Sequence, residues 1–337
     1  MEQTQLNFKT LKIKKKKIKI KKKEMENTKS NVESNAESNA ESNAESNAES
    51  NNVNYGDNIV TYTWCECGEN HHGNQQIGEI ANPGEGFMRE DLIAAKTFAE
   101  EKYGCETEMF NLKKLGLVDD DNEPLIIKNK KNETVGVNSA HFLIIRGFIP
   151  TILQKYGFSI SDLMTEVMGR KWDNKYWDTR RQKVLNKHAR ENNVISDVSQ
   201  VANYEEGKGT IHAFNDMKIM NILRNEFKNI GEKFDFACSE GNKYKDGGKK
   251  KNGIGWHGDS ERRRVLAMRL GLNPSMPFYY RWKYKHKEIG KIMKWDINAG
   301  DVMIMSEWAV GTEWKKSSLV TLVHATGANK YVKPKNN

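Results

Sequence analysis

From about residue 234 the chain is cut into short runs of β-branched and aromatic residues, and this punctuation limits its fold more than any other feature. Residues 265–270, 278–284, 288–297, 301–305 and 318–323 each read as a strand, with glycine, proline and asparagine in the gaps. Many short antiparallel strands imply a sandwich or jelly roll. The preceding stretch is mixed. Residues 59–64 (IVTYTW) read as a strand. Residues 90–103 place apolar side chains at helical spacing and stop at Gly104. Residues 108–112 and 140–146 read as strands, the second an apolar run that predicts burial. The expected class is α+β. A tail over 1–52 precedes a small α/β module over 53–155. A helical, basic-aromatic region over 156–233 and a β-rich core over 234–333 follow.

The tail cannot build a core. Residues 9–23 read KTLKIKKKKIKIKKK, a solvated basic segment or a localisation or nucleic-acid tail. Five copies of Glu-Ser-Asn follow between Glu33 and Asn51, a low-complexity stretch that predicts disorder. Ten lysines against two glutamates in residues 1–24, then six glutamates against one lysine in 25–52, leave most of the net charge of +9 to the remainder. A modestly basic folded part suits a nucleic-acid partner without requiring one. No apolar run reaches the roughly 18 residues of a membrane helix, and the basic N-terminus lacks an apolar signal segment. The expected location is intracellular. Four cysteines (Cys65, Cys67, Cys105, Cys238) do not make a disulfide framework.

The chemistry concentrates at His257-x-Asp259. An imidazole and a carboxylate two residues apart can bind one face of a divalent cation, and two-His-one-carboxylate sites with open positions suit non-haem Fe(II). The pair sits inside a longer pattern: Asn242-x-Tyr244-x-Asp246-Gly247, then Gly253-Ile-Gly-Trp-His257-Gly-Asp259-Ser-Glu261. That pattern resembles the nucleic-acid dealkylases of the AlkB type, which are Fe(II)- and 2-oxoglutarate-dependent dioxygenases on a double-stranded β-helix. The resemblance implies that Asn242 and Tyr244 bind 2-oxoglutarate and that Glu261 lies near the substrate base. Residues 69–78 (ENHHGNQQIG), 181–190, 255–263 and 305–315 resemble AlkB-like dioxygenases predicted in large DNA viruses of algae and amoebae, over about residues 55–332.

The third ligand departs from that pattern. In AlkB-like proteins the distal His follows a Gly-Asp strand by about a dozen residues, with an Arg-x5-Arg strand after it. The corresponding residues 300–316 contain no His. His324, closing the apolar run from Leu319, is the expected third ligand, with Glu313 or water, or a metal-free descendant, as alternatives. His286 lies in a polar stretch and reads as exposed. Strand alternation places Lys316, Ser318, Val320, Leu322 and His324 on one face. Lys316 is therefore a candidate partner for the distal carboxylate of 2-oxoglutarate, beside Arg269 within its apolar strand and Lys330 or Lys333. The resemblance to the viral group implies an Arg where Val323 stands.

Residues 169–190 interleave cations with aromatics. Trp172, Arg180, Arg181, Lys183 and Lys187 are the candidate contacts to single-stranded DNA or RNA, or else belong to an amphipathic helix with its aromatics buried. Cys65 and Cys67 with His71 and His72 have poor spacing for structural zinc. The expected activity is oxidative dealkylation or hydroxylation of nucleic-acid bases. A protein or small-molecule hydroxylase of the same mechanism, and a metal-free nucleic-acid-binding protein, are the alternatives.

Overall fold

The computed structural model describes residues 57–245, 252–271 and 275–333. The tail expected over 1–52 lies outside the described residues, as do Asp246 and Gly247. The strands are β1 (Ile59–Cys65), β2 (Cys67–Glu69), β3 (Gln76–Gly78), β4 (Thr107–Asn111), β5 (His141–Ile145), β6 (Lys175–Asp178), β7 (Lys183–Asn186) and β8 (Glu191–Ser196). They continue as β9 (Ile211–Ala213), β10 (Cys238–Tyr244), β11 (Gly253–His257), β12 (Val265–Leu270), β13 (Met276–Tyr284), β14 (Lys287–Ile297), β15 (Val302–Met305) and β16 (Thr321–Gly327).

Two sheets carry the architecture. The larger has eight strands in the order β4-β5-β15-β12-β1-β10-β8-β9, and the smaller has four in the order β11-β16-β13-β14. Every pairing is antiparallel except β8 with β9. The class is α+β. Strands from residues 53–155, 156–233 and 234–333 share the larger sheet, where β1 sits between β10 and β12.

Period-two alternation sorts each strand of the larger sheet onto two covered faces. Val60, Tyr62, Trp64, Leu143, Ile145, Leu266, Met268, Val302 and Ile304 join one core, with the helices Arg89–Tyr103, Phe148–Lys155, Ile160–Met168 and Lys218–Lys228. Phe142, Ile144, Val265, Ala267, Met303 and Met305 face the other way and pack with Phe278, Tyr280, Trp282 and Leu322 of the smaller sheet. Burial on both faces explains why β5 reads as an apolar run and why β12 is apolar apart from Arg269. The layers are therefore helices, large sheet, small sheet. Helix Arg89–Tyr103 buries Leu92, Ala95 and Ala99 against the sheet and ends at Gly104, whose φ of 63° is the left-handed cap conformation.

Two expectations need correction. The last strand runs Thr321–Gly327, not 318–323, so Lys316 and Ser318 precede it in a turn and His324 sits at its middle. The basic-aromatic segment is not helical. After helix Ile160–Met168 it becomes the β6–β7 hairpin and leads into β8. Lys285 and His286, both at positive φ, form the exposed two-residue turn between β13 and β14.

Candidate metal centre and its cavity

Between the two sheets lies a cavity of about 420 Å³, within the range of small-molecule sites. Alternate inward residues build it: Thr61 and Thr63 of β1, Glu240, Asn242 and Tyr244 of β10, Val265, Ala267 and Arg269 of β12, Met303 and Met305 of β15. The smaller sheet contributes Ile254, His257, Phe278, His324 and Thr326.

His257 and His324 are cross-strand partners in the β11–β16 pair, with ring centroids 4.4 Å apart. Asp259 follows in the turn after β11, where its backbone N–H donates to Val310 O at 3.2 Å. That turn needs Gly258, since a Cβ there would lie 2.2 Å from Gly311 O. Asp259 Oδ1 is 3.5 Å from Nε2 of each histidine. Among the described residues this is the one group of three His, Cys or carboxylate side chains able to share a metal, with donor atoms all within 4.8 Å. Metal–ligand bonds of ~2.0–2.2 Å ask for donors roughly 3–3.5 Å apart, and the two Asp259–histidine distances of 3.5 Å lie at the upper end of that range.

The protonation states suit ligation. Burial, then His324, pushes His257 down to about 4, so its imidazole is neutral at physiological pH. His257 Nδ1 lies 2.7 Å from Gly255 O, which holds the proton on Nδ1 and leaves the Nε2 lone pair toward Asp259. Burial alone would raise Asp259, but Arg262 and the two histidines outweigh it and keep the carboxylate ionised. His324 stacks on Phe278 at 5.6 Å and 24°. The donor set is two histidines and one carboxylate.

Arg269 reaches the same cavity from the large sheet. Its side chain is 1% exposed, yet among the described residues no carboxylate pairs with it. Nη1 donates to Thr61 Oγ1 at 2.8 Å, Nη2 to Thr326 Oγ1 at 3.5 Å, and Nε has no partner. Burial lowers it to about 10, against the raising effect of Tyr244 and Asp301. A buried, unneutralised guanidinium costs several kcal/mol unless an anion joins it, so this position is built for one. Tyr244, 1% exposed, lines the cavity beside it. Asn242 also lines the cavity. Its Oδ1 accepts from Arg190 Nε and Asn192 Nδ2, both at 2.5 Å. Lys316 is elsewhere: it is exposed, ion-paired with Glu313 and absent from the cavity wall. The strand beginning at Thr321 removed the alternation that had put it beside His324. Glu313 pairs with Arg263 at 3.3 Å, away from the metal group.

The opposite wall is acidic. Glu261 and Glu240 both accept from Arg262 Nη2 at 2.5 Å. Burial raises Glu261 despite Arg262, with Asp259 and Glu240 adding to the rise. Glu69 is pushed up to about 7 by burial and then by Glu261. Asn70, His71, His72, Trp314 and Lys315 complete this end, and exposed His72 and Lys315 mark the mouth. Sequence reasoning missed Thr61, Thr326, Arg190, Glu240 and Arg262, which only long-range pairing brings here.

The proposed nucleic-acid contacts divide. Trp172 is not a stacking platform. It is 6% exposed, packs on Tyr62 at 5.9 Å and donates Nε1 to Val167 O at 3.1 Å. Arg180, Arg181 and Lys183 are exposed on the β6–β7 hairpin. Lys187 Nζ turns inward, donating to Asn70 O at 3.2 Å, and burial lowers it to about 8. Cys65 Sγ lies 3.6 Å from Cys238 Sγ, while His71 stacks against Tyr176, so thiols and imidazoles do not converge on zinc.

No protein-family model matches the chain. Aligned over 274 residues, it is 36% identical to a protein of Acanthamoeba polyphaga mimivirus described as "Uncharacterized protein R156", covering 81% of this chain and 97% of that one. Among the described residues, no helix is long and apolar enough to cross a membrane.

Proposed function

We propose that this chain, which belongs to the same family as the mimivirus protein R156, is a 2-oxoglutarate- and Fe(II)-dependent dioxygenase that oxidises nucleic-acid bases. One observation carries the reading. The His257–Asp259–His324 group and a buried guanidinium, Arg269, that no carboxylate among the described residues pairs with line the same cavity. That pairing fits a dicarboxylic acid chelating the metal at one end and held by charge at the other. On this reading the two facing sheets are the double-stranded β-helix of the AlkB-like enzymes, as the Asn242-to-Glu261 pattern implies.

His257, Asp259 and His324 would hold the iron. Arg269, with the Thr61 and Thr326 hydroxyls and Tyr244, would receive the distal carboxylate. With iron bound, 2-oxoglutarate and O2 are converted to succinate and CO2 while one oxygen atom enters a C–H bond of the target. For an N-methyl group the hydroxymethyl product then leaves as formaldehyde. Phe278, Val265, Ala267, Met303 and Met305 give the cavity an apolar lining that limits water near the centre. Exposed Arg180, Arg181 and Lys183 would neutralise phosphates of a single strand.

The test is anaerobic. Fe(II) and then 2-oxoglutarate are added to the full chain, and the visible charge-transfer band of the chelate is followed in the native protein and in His324→Ala. A band in the native protein that disappears in the variant supports the reading. No band in the native protein overturns it and leaves a nucleic-acid-binding protein without this chemistry.

A further inference from the structure

Two turns between α-helix Leu112–Gly116 and β5 follow one plan. In residues 118–124 (VDDDNEP), Asp119 Oδ1 accepts from the backbone N–H of Asp121 at 3.0 Å and of Glu123 at 2.9 Å. In residues 128–134 (KNKKNET), Asn129 Oδ1 accepts from Lys131 N–H at 2.8 Å and Glu133 N–H at 3.0 Å. Each turn closes on a backbone bond of 2.9 Å, Asp119 N–H to Glu123 O and Asn129 N–H to Glu133 O. Each also sets an asparagine in the left-handed region, Asn122 at φ 69° and Asn132 at φ 66°. Antiparallel bridges Val118–Pro124 and Lys128–Thr134 make residues 124–128 the run shared by both turns, with one turn at each end. Side chains alternate along it. Leu125 and Ile127 are half-buried and pack on the core beneath the smaller sheet, whereas Ile126, midway between Asp121 and Lys131, is 71% exposed. The charges differ where the backbone does not. Residues 119–123 hold four carboxylates and no base, while residues 128–133 hold three lysines and one glutamate. Asp120, Asp121, Lys130 and Lys131 are exposed, and among the described residues none of them is in an ion pair. The acidic turn is anchored: Lys291 Nζ of β14 donates to Asp120 O at 3.1 Å and to Asn122 Oδ1 at 2.7 Å.

We propose that residues 118–134 are the contact surface of a homodimer. An apolar side chain with unpaired acid at one end and unpaired base at the other is complementary to itself. A second copy laid antiparallel across it sets the acidic turn on the basic turn twice and Ile126 on Ile126 at the axis. That is the isologous contact of a two-fold dimer, in which the same patch serves both partners. Opposite charge fixes the direction, since a parallel arrangement would set like charge on like charge. Seventeen residues a side, against the roughly 20–30 of a standard interface, make the dimer a weak one in exchange with monomer. None of these residues lines the cavity, so the dimer leaves its mouth open and the inference is independent of the oxygenase reading.

The test is sedimentation velocity on the full chain. At low salt the native protein is expected to pass from monomer to dimer over about 1–100 μM. Salt of about 0.5 M should weaken the dimer at least ~10-fold by screening the paired turns. One variant carries Lys130→Glu and Lys131→Glu, and another carries Asp120→Lys and Asp121→Lys. Each alone should stay monomeric over the same range, because the first holds acid at both ends and the second holds base at both. An equimolar mixture of the two should form a heterodimer about as readily as the native chain pairs with itself. Mixing does not mend a misfolded chain, so this recovery reads the surface and not the fold. Ile126→Glu should weaken the native dimer at least ~10-fold, with circular dichroism unchanged. A native chain that stays monomeric at low salt overturns the assignment. So does a dimer that survives either reversal, or a mixture of the two variants that does not associate.

Discussion

At the scale of single residues, Arg269 carries a cost that its neighbours do not relieve. Among the described residues, two threonine hydroxyls and no carboxylate meet a guanidinium that is 1% exposed. Replacing an unneutralised buried charge by an apolar side chain of similar length is often neutral or stabilising. Arg269→Met is therefore expected to melt at or above the native temperature, to bind Mn(II) as the native protein does, and to bind 2-oxoglutarate at least ~10-fold more weakly. Calorimetry on the Mn(II)-loaded protein checks all three. Glu69 makes a second case. Its carboxyl is raised from 4.5 to about 7, so the folded state holds the proton more tightly than the unfolded chain. The associated stability is fully present below pH 4.5 and is lost as pH rises through about 7. Glu69→Gln should match the native melting temperature near pH 4.5 and exceed it by a few degrees at pH 8. His257 and Asp259 were legible in the sequence because their ligand spacing is local. Arg269 was legible as a charge inside an apolar strand. Glu69 and Asn70 stood out as a motif, but nothing local said that their turn would fold against β10 and the metal loop.

At the scale of elements, the His257–Asp259–His324 group is a matter of strand pairing. β11 and β16 hold His257 opposite His324, and their far end closes on Gly253 opposite Gly327. Gly327 has φ of 92°, and a Cβ there would come within 2.6 Å of Gly253 Cα. Gly327→Ala should strain this pair by about 1–3 kcal/mol. It should weaken Mn(II) binding at least ~10-fold while leaving far-ultraviolet dichroism close to native, since the large sheet does not depend on the contact. Isothermal titration measures the first effect, and unchanged affinity would show that the strand pair does not position the ligands. The same element explains one success and one failure of sequence reading. His324 was reachable because the strand type was correct. Lys316 was misplaced because the strand begins at Thr321, and alternation cannot be extended into a turn. The basic-aromatic segment failed differently. A tilted hairpin with half-buried Tyr176 and Trp177 has the composition of an amphipathic helix, and only its pairing with β7 separates the two.

At the scale of the whole molecule, the chain divides into residues 1–52 and residues 53–337, and both cores and the cavity belong to the second unit. Deleting 1–52 should leave the melting temperature unchanged within about 2 °C. It should also reduce the salt dependence of binding to single-stranded DNA, because ten lysines of residues 1–24 are lost. Anisotropy titrations between low and physiological salt test this, and an unchanged slope would place all phosphate contacts on the second unit. The larger architecture was partly legible, since alternating strands announced two packed sheets. The insertion of β1 at the centre of the large sheet was not, because it depends on two partners, β10 and β12, that pair with it from far along the chain, as in Cys65 with Cys238 and Val60 with Leu270. The depth of the cavity has a further consequence. Arg269 lies far inside, while His72 and Lys315 are exposed at the rim. Whatever Arg269 holds must enter before a target blocks the opening and must leave after it. On the proposed dioxygenase reading this geometry would impose a queue: acid first, target second, modified target out, and the spent acid last.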